Sequence, residues 1–220
     1  MKDVKYFIDK EREYKIKHEN DDDTFFDEQV GEFVPVRYVD DFLGGGWFTL
    51  FSKHDRNVDL QNSIEKFGLC ESEALILLCF LGNLSQYFRD DIYVQFGEVP
   101  EVAKEMNVIL DSIISKAPQH REGLLYRFLN DYDKSDSNVG DIIRIEHSLT
   151  TTIDDWRQDT DSYCITSLPE KMTKAHDLYK IYNHGNENQV NFERGSIFKV
   201  ISIVTNSETG FRRIYMEEIE

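Results

Sequence analysis

The chain has 220 residues, of which 40% are hydrophobic and 13% aromatic, so it is long and apolar enough to bury a core. It carries 42 acidic and 25 basic residues, which gives a formal net charge of −17. Such a surface repels nucleic-acid phosphates and anionic lipids. We therefore predict a globular protein that binds neither nucleic acid nor a membrane directly, while a basic partner protein stays compatible with its charge.

The sequence shows neither an export signal nor a membrane span. Residues 1–20 are charged throughout, and no apolar run approaches the length of a transmembrane helix. The three cysteines, Cys70, Cys79 and Cys164, are odd in number and lack zinc-ligand spacing, so no metal site is predicted. Reduced thiols fit a cytoplasmic protein, and Cys79 lies in an apolar run where a thiol acts as a small hydrophobe.

The first third of the chain is assigned to an N-terminal extension of unknown role, residues 1–67. Residues 1–23 carry dense charge, which predicts a solvated segment. Residues 34–39 and 47–51 are aromatic and β-branched and favour strands. The three glycines at 44–46 lack the Lys-Ser/Thr of a phosphate-binding P-loop, so we interpret them as a turn.

Residues 68–118 have the sequence features of helices. The segment 71–81 is apolar on nearly all sides after its first turn, which is typical of a buried helix. A second helix is predicted to begin at Pro100, because apolar residues then repeat at intervals of three and four up to Lys116. Pro118 ends it.

Residues 119–220 favour strands. We predict strands at 123–129, 141–147, 163–168, 197–204 and 211–219, with a hairpin turn at 206–210. The segment 171–182 is predicted as weakly helical. Helices followed by strands predict an α+β fold with residues 68–220 as one domain. Crossover βαβ units and a glycine-rich nucleotide loop are missing from the sequence, so a Rossmann domain is not expected.

Three short motifs follow one another in the β-rich part. They are Leu-Tyr-Arg at 125–127, Thr-Thr-Thr at 150–152, and Glu-Asn-Gln at 187–189 followed by an apolar strand and a glycine turn. Their order resembles the Arg–Ser–Glu motifs of the arginine-specific mono-ADP-ribosyltransferases, in particular those of tailed phages. The resemblance covers residues 68–220. It implies the split β-sandwich of that family, preceded by a helical segment.

The resemblance also implies that NAD is the substrate, and it assigns residues to NAD binding. Arg127 would hold the pyrophosphate by charge-assisted hydrogen bonds. Thr150 and Thr152 stand where the family has serines, and a hydroxyl there would hydrogen-bond within the pocket. Trp156 follows this motif, and two interpretations are open for it: it stacks on nicotinamide, or it is an ordinary core or surface-loop tryptophan.

The third motif departs from the family where the chemistry is most demanding. Glu187 matches the first Glu, which orients the acceptor arginine, but Gln189 stands at the place of the catalytic Glu. A carboxylate there stabilises the oxocarbenium character that develops on the ribose. An amide hydrogen-bonds a hydroxyl without adding negative charge. Phe128 replaces a Gly, where its bulk would crowd the nicotinamide, and Glu193 replaces a Pro.

These motifs lead to two predicted functions. The first is an NAD-dependent mono-ADP-ribosyltransferase, phage-encoded, that modifies an arginine of a host protein in the host cytoplasm. The second is a catalytically inactive protein of the same fold that binds a basic host partner, as an inhibitor or nucleic-acid mimic. Two origins of Gln189 stay open from the sequence, natural loss of the carboxylate and a deliberate change that disables a toxic enzyme.

Overall fold

A computed structural model describes residues 2–7, 9, 24–27, 32–35, 58–81, 88, 101–121, 123–129 and 136–219. The chain forms two compact units, Met1–Ile113 and Ile114–Glu220. Several predicted features lie outside the described residues, namely the charged segment beyond residue 9, the turn at 44–46, the strand at 47–51 and Pro100.

A hairpin and helices precede the main sheet. Strand β1 (Thr24–Asp27) pairs antiparallel with β2 (Glu32–Pro35). The helices are α1 (Val58–Phe67), α2 (Glu71–Leu81) and α3 (Glu101–Lys116). None of the described helices is long and apolar enough to cross a membrane.

Helix α2 has the predicted bounds and the predicted burial. Its apolar residues are buried except for Leu78, which is partly exposed. Burial raises the pKa of the Cys79 thiol well above its ordinary value. Glu73 caps the helix, because its Oε2 accepts a hydrogen bond from the backbone N–H of Cys70 at 2.8 Å. The other carboxylate oxygen of Glu73 accepts from the hydroxyl of Ser112 at 2.8 Å. The one charged group buried in this helix is thus engaged on both oxygens.

The second unit is built on an eight-stranded sheet. Its strands are β3 (Leu124–Phe128), β4 (Ile142–Ile145), β5 (Leu149–Thr152), β6 (Ser162–Thr166), β7 (Ala175–His176), β8 (Gln189–Phe192), β9 (Ser196–Thr205) and β10 (Arg212–Glu218). The order across the sheet is β4-β9-β10-β6-β3-β5-β8-β7. Strands β10 and β6 are parallel, and the other neighbours are antiparallel. The α+β prediction is confirmed.

The sheet is split between β3 and β5. These two strands share a single register pair, Tyr126 with Thr152, whereas β3 and β6 share five pairs. Phe192 of β8 and Phe198 of β9 belong to different halves of the sheet, yet their ring centroids are 5.0 Å apart. The two halves therefore pack face to face over one buried core, which includes Leu125 with Phe192 and Phe198. This is the split β-sandwich expected from the sequence.

The prediction of a weak helix at 171–182 is largely wrong. Residues Ala175–His176 form strand β7, which pairs with β8, and only Leu178–Lys180 is helical, as one 3₁₀ turn. The backbone explains the difference, because His120 N donates to Ala175 O and Asp177 N donates to Pro118 O, both at 2.8 Å. Tertiary pairing on both sides of the segment outweighs its local helical preference.

A buried ion pair fixes the end of β7. Asp177 Oδ1 lies 2.6 Å from His120 Nδ1, and its other oxygen accepts from Lys180 Nζ. Burial alone would raise the pKa of Asp177, but the hydrogen bonds from His120 and Lys180 outweigh it and the pKa is lowered. Ionised Asp177 therefore stabilises the fold above its ordinary pKa of about 3.9, and that contribution is lost as the pH falls through the lowered value.

The variant Asp177→Asn is expected to lower the free energy of unfolding by about 2 kcal/mol at neutral pH, because two charge-assisted hydrogen bonds lose their anion. The difference from the parent protein should shrink as the pH falls from about 4 through the lowered pKa of folded Asp177, since the unfolded chain and then the folded parent bind a proton at this carboxylate. Urea unfolding at a series of pH values measures this. The exposed Asp136→Asn is the control, and a difference independent of pH would contradict the assignment.

Candidate functional site

Polar side chains form a row on one face of β5 and β8. The register places Thr150 opposite Asn191 and Thr152 opposite Gln189. Val190 lies between the two polar residues of β8 and belongs to the hydrophobic core. Because successive side chains of a strand point to opposite faces, the polar row lies on the face away from the core.

The row is connected by a chain of hydrogen bonds. Gln189 Nε2 donates to Asn191 Oδ1 at 2.9 Å, and Asn191 Nδ2 donates to Ser148 Oγ and Thr150 Oγ1, each at 3.2 Å. Ser148 Oγ in turn donates to the carbonyl oxygen of Phe192 at 3.1 Å. Gln189 is 6% exposed and Asn191 is fully buried. Gln189 is therefore part of a buried polar network and is not a solvated loop residue.

Glu187 precedes β8 in a loop that is tied to the end of β5. Thr152 Oγ1 donates to the carbonyl oxygen of Glu187 at 2.8 Å and accepts from the N–H of Asp154 at 3.1 Å. Asn188 has φ 47° and donates through Nδ2 to Asp154 Oδ2 at 2.7 Å. The Glu187 side chain is exposed. Its backbone is thus hydrogen-bonded while its carboxylate faces solvent.

Arg127 lies on the other side of the split. It is half-buried, its register partner on β6 is Tyr163, and it follows Tyr126, the residue that pairs with Thr152. Alternation along β3 places Arg127 on the same face as Leu125 and opposite to Tyr126. The structure thus links Thr150 with Gln189 through Asn191 and, by a separate hydrogen bond, Thr152 with the main chain of Glu187. Arg127 lies on the neighbouring strand, on the face that carries the core residue Leu125 and not on the face of Tyr126, which pairs with Thr152.

Trp156 and Phe128 form an aromatic pair beside the split. Their ring centroids are 4.8 Å apart with the planes tilted by 56°, and Phe128 stacks in turn on Tyr126 at 6.5 Å. Trp156 is 64% exposed while Phe128 is buried. Alternation puts Phe128 on the face of β3 opposite to Arg127. The Phe128 ring therefore packs against the indole of Trp156, most of which is exposed to solvent.

The loop that carries Trp156 is anchored to β10. Arg213 donates to both carboxylate oxygens of Asp155, at 2.8 and 2.9 Å, and to Gln158 Oε1 at 2.7 Å. The hydrogen bonds with Asp155 raise the pKa of Arg213 above its ordinary value. The guanidinium also lies 5.9 Å from the ring centroid of Tyr126. The segment after β5 is thereby held against the sheet.

The replacement of the motif's Pro by Glu193 has a structural explanation. Glu193 Oε1 lies 3.0 Å from Nε2 of the buried His176, whose Nδ1 lies 2.9 Å from the carbonyl oxygen of Ala117. Gly195 follows with φ 77°, and a Cβ there would meet Arg144 Nη2 at 3.2 Å, so the glycine of the motif is required. Among the described residues, no three His, Cys, Asp or Glu side chains are grouped to hold a metal ion.

Sequence reasoning missed two residues of this site, Ser148 and Asn191. The signal for Asn191 was present, because a polar residue stands between the apolar Val190 and Phe192 in a strand that reads as buried. A buried amide requires hydrogen-bond partners. The sequence does not show which side chains supply them, since Ser148 is 43 positions away.

No family model matches the sequence, and no curated protein sequence matches it. Solved structures do match. C3stau2 from S. aureus, solved with NAD, has a TM-score of 0.55 at 16% identity, covering 73% of this chain and 92% of that chain. Plx2a, an ADP-ribosyltransferase toxin from Paenibacillus larvae, has a TM-score of 0.54 at 12% identity, covering 77% and 96%.

The type III effector XopAI from Xanthomonas axonopodis pv. citri matches over more of this chain. Its TM-score is 0.58 at 12% identity, and the match covers 96% of this chain and 83% of the effector. At such identities the likeness concerns the fold. The chain therefore has the fold of the ADP-ribosyltransferases, as the three motifs implied.

Proposed function

We propose that the protein binds NAD and transfers its ADP-ribose to an arginine of a host protein. The observation that supports this most directly is the hydrogen-bonded group at the split of the sheet. There Gln189 and Thr150 are both hydrogen-bonded to Asn191, and Thr152 donates to the carbonyl oxygen of Glu187. The fold is that of a protein solved with NAD and of an ADP-ribosyltransferase toxin. A phage origin and action in the host cytoplasm belong to the same proposal.

NAD binding would use both sides of the split. Arg127 would supply a cation for the pyrophosphate, because a guanidinium matches two phosphate oxygens in a bidentate way. Its side chain starts on the face of β3 opposite to Tyr126 and Phe128, so it would have to reach the ligand past the strand. The open indole of Trp156, supported from below by Phe128, offers a stacking surface for the nicotinamide. Thr152 hydrogen-bonds the loop that leads to Gln189, so the ribose would lie against a segment whose main chain is held in place.

Transfer would require that the bond between nicotinamide and ribose breaks and that a guanidino nitrogen of the acceptor bonds to the same ribose carbon. The exposed carboxylate of Glu187 can accept a hydrogen bond from the acceptor and remove its proton. Gln189 can hydrogen-bond the ribose but leaves the developing positive charge unpaired. We therefore expect slow turnover by the protein with Gln189.

Arg127→Ala is expected to weaken NAD binding by about 10- to 100-fold, because a charge-assisted hydrogen bond to an anion is worth about 1.5–3 kcal/mol. Titration calorimetry with NAD measures the effect. Arg121→Ala is the matched control, since Arg121 is an exposed arginine paired only loosely with Glu170 at 3.6 Å. Equal affinity in both variants would exclude Arg127 from the binding site.

The neutral network at Gln189 favours a second candidate, a protein of this fold that binds a basic host partner without catalysis. With a net charge of −17, such binding would weaken as salt rises. Calorimetry separates the two candidates. Saturable NAD binding supports the transferase, whereas no binding at millimolar NAD together with capture of a basic protein supports the inhibitor or nucleic-acid mimic.

A further inference from the structure

The hydrogen bonds around Asn191 have a fixed direction. Ser148 has one hydroxyl proton, and it is donated to the carbonyl oxygen of Phe192, which can only accept. Towards Asn191 the Ser148 oxygen is therefore an acceptor. The side of the Asn191 amide that faces Ser148 must be its NH₂ group, as the 3.2 Å contact from Nδ2 shows.

The direction is passed on to Gln189. With Nδ2 of Asn191 turned to Ser148 and Thr150, its Oδ1 faces Gln189 and accepts from Nε2 at 2.9 Å. A flipped Gln189 would set its own oxygen against Oδ1, two acceptors without a proton between them. The carbonyl oxygen Oε1 of Gln189 consequently points away from Asn191. Oε1 is thus left as the acceptor that this amide offers to a ligand.

We propose that Ser148 and Asn191 are positioning residues that present the Gln189 side chain as a hydrogen-bond acceptor, so that the site selects a ligand carrying a hydroxyl donor at that point. The hydrogen bonds all run in one direction: Gln189 donates to Asn191, Asn191 to Ser148, and Ser148 to the carbonyl oxygen of Phe192. A carbonyl oxygen at the outer end accepts from a hydroxyl but gives nothing to a carbonyl or ether oxygen. If the ligand is NAD, as proposed above, the donor is a hydroxyl of the nicotinamide ribose.

A ligand comparison tests the selectivity. Calorimetry would measure affinities for NAD and for its analogues that lack the 2′- or the 3′-hydroxyl of the nicotinamide ribose. Removing the hydroxyl that Gln189 binds should cost the parent protein about five- to tenfold in affinity. In Asn191→Leu the same removal should change the affinity less than about twofold, because the amide is then free to rotate. General damage to the fold would instead lower the affinity for all three ligands by one common factor.

Thr151→Val is the matched control for this comparison. Thr151 also donates a buried hydrogen bond within β5 and β8, to Val190 O at 2.7 Å, but it lies on the core face of the strand. The control should keep the parent's preference for the full ribose. If Asn191→Leu keeps that preference too, or if the parent shows none while binding NAD, the positioning role is excluded.

A second measurement needs no ligand. The side-chain amide protons of Gln189 should exchange slowly with water in the ¹⁵N spectrum of the parent, and fast in Asn191→Leu and Ser148→Ala. Slow exchange together with no NAD binding would overturn the proposed function and leave the orientation of Gln189 standing. Fast exchange in the parent would overturn the orientation, whatever the protein binds.

Discussion

Replacing Gln189 by Glu is expected to raise the rate of nicotinamide release from NAD by about 100- to 1000-fold, or roughly 3–4 kcal/mol in activation free energy. The carboxylate adds the negative charge that the positive ribose of the transition state lacks. NAD affinity should change little, because a carboxylate oxygen accepts the same ribose hydroxyl in the ground state.

The same substitution should lower the free energy of unfolding by about 1–3 kcal/mol. In the parent protein Asn191 Oδ1 accepts from Gln189 Nε2. In Gln189→Glu a carboxylate oxygen faces the same Oδ1, and two acceptors then stand opposite each other. Asn191 can turn its NH₂ group to the carboxylate, but its oxygen then faces Ser148, whose proton is engaged with Phe192 O. One buried hydrogen bond is lost in either arrangement.

Nicotinamide release and urea unfolding, measured on the same preparations, check both expectations. Gln189→Met is the control, because it keeps the size of the side chain and supplies neither charge nor a strong acceptor. A Gln189→Glu protein that binds NAD and yet releases no nicotinamide above the control would refute the transferase proposal. The second candidate, a protein that binds a basic partner without catalysis, would then be the better explanation of its function.

Glu218→Gln is expected to destabilise the second unit by on the order of 3 kcal/mol. Glu218 is 3% exposed, and its carboxylate accepts from Leu168 N at 2.8 Å, Thr173 Oγ1 at 2.6 Å and Lys174 N at 2.7 Å. The carboxylate of Glu218 has two oxygens with four lone-pair sites, so it can accept all three hydrogen bonds. In Glu218→Gln one oxygen becomes an NH₂ group, which faces a donor and cannot accept from it. The segment before β7 would lose its attachment to β10.

Urea unfolding of this variant should be compared with that of Glu217→Gln. Glu217 is the preceding residue of the same strand, but its side chain is exposed, so its substitution should cost less than about 0.5 kcal/mol. Equal losses in the two variants would mean that the buried carboxylate does not hold the segment.

The elements that the sequence predicted well are those whose pattern is local. Helix α2 was placed at its observed bounds because an apolar run of helical length follows two acidic residues. The hairpin of β9 and β10 was found from the hairpin-type turn residues at 206–210, which lie between two apolar segments. Helix α1 was missed, since its apolar residues are few, and the two-residue β7 depends on pairing with β8.

For the candidate site, motif order led to the second and third motifs but could not give their geometry. The pairing of Thr152 with Gln189 follows from the register of β5 against β8, and register is a tertiary property. The burial of Gln189 was missed for the same reason, because the motif alone reads as a loop before a strand. The direction of its amide depends on Ser148, which no spacing in the sequence connects to it.

The single register pair between β3 and β5 has a consequence for how such a fold tolerates divergence. Beyond Tyr126 and Thr152, the main-chain N–H and C=O groups along the facing edges of these strands are not committed to each other. Every residue type presents the same main-chain groups, so a molecule bound there can be held by atoms that substitution does not alter. A molecule held there would keep its hydrogen bonds to the main chain while most side chains of the chain are exchanged.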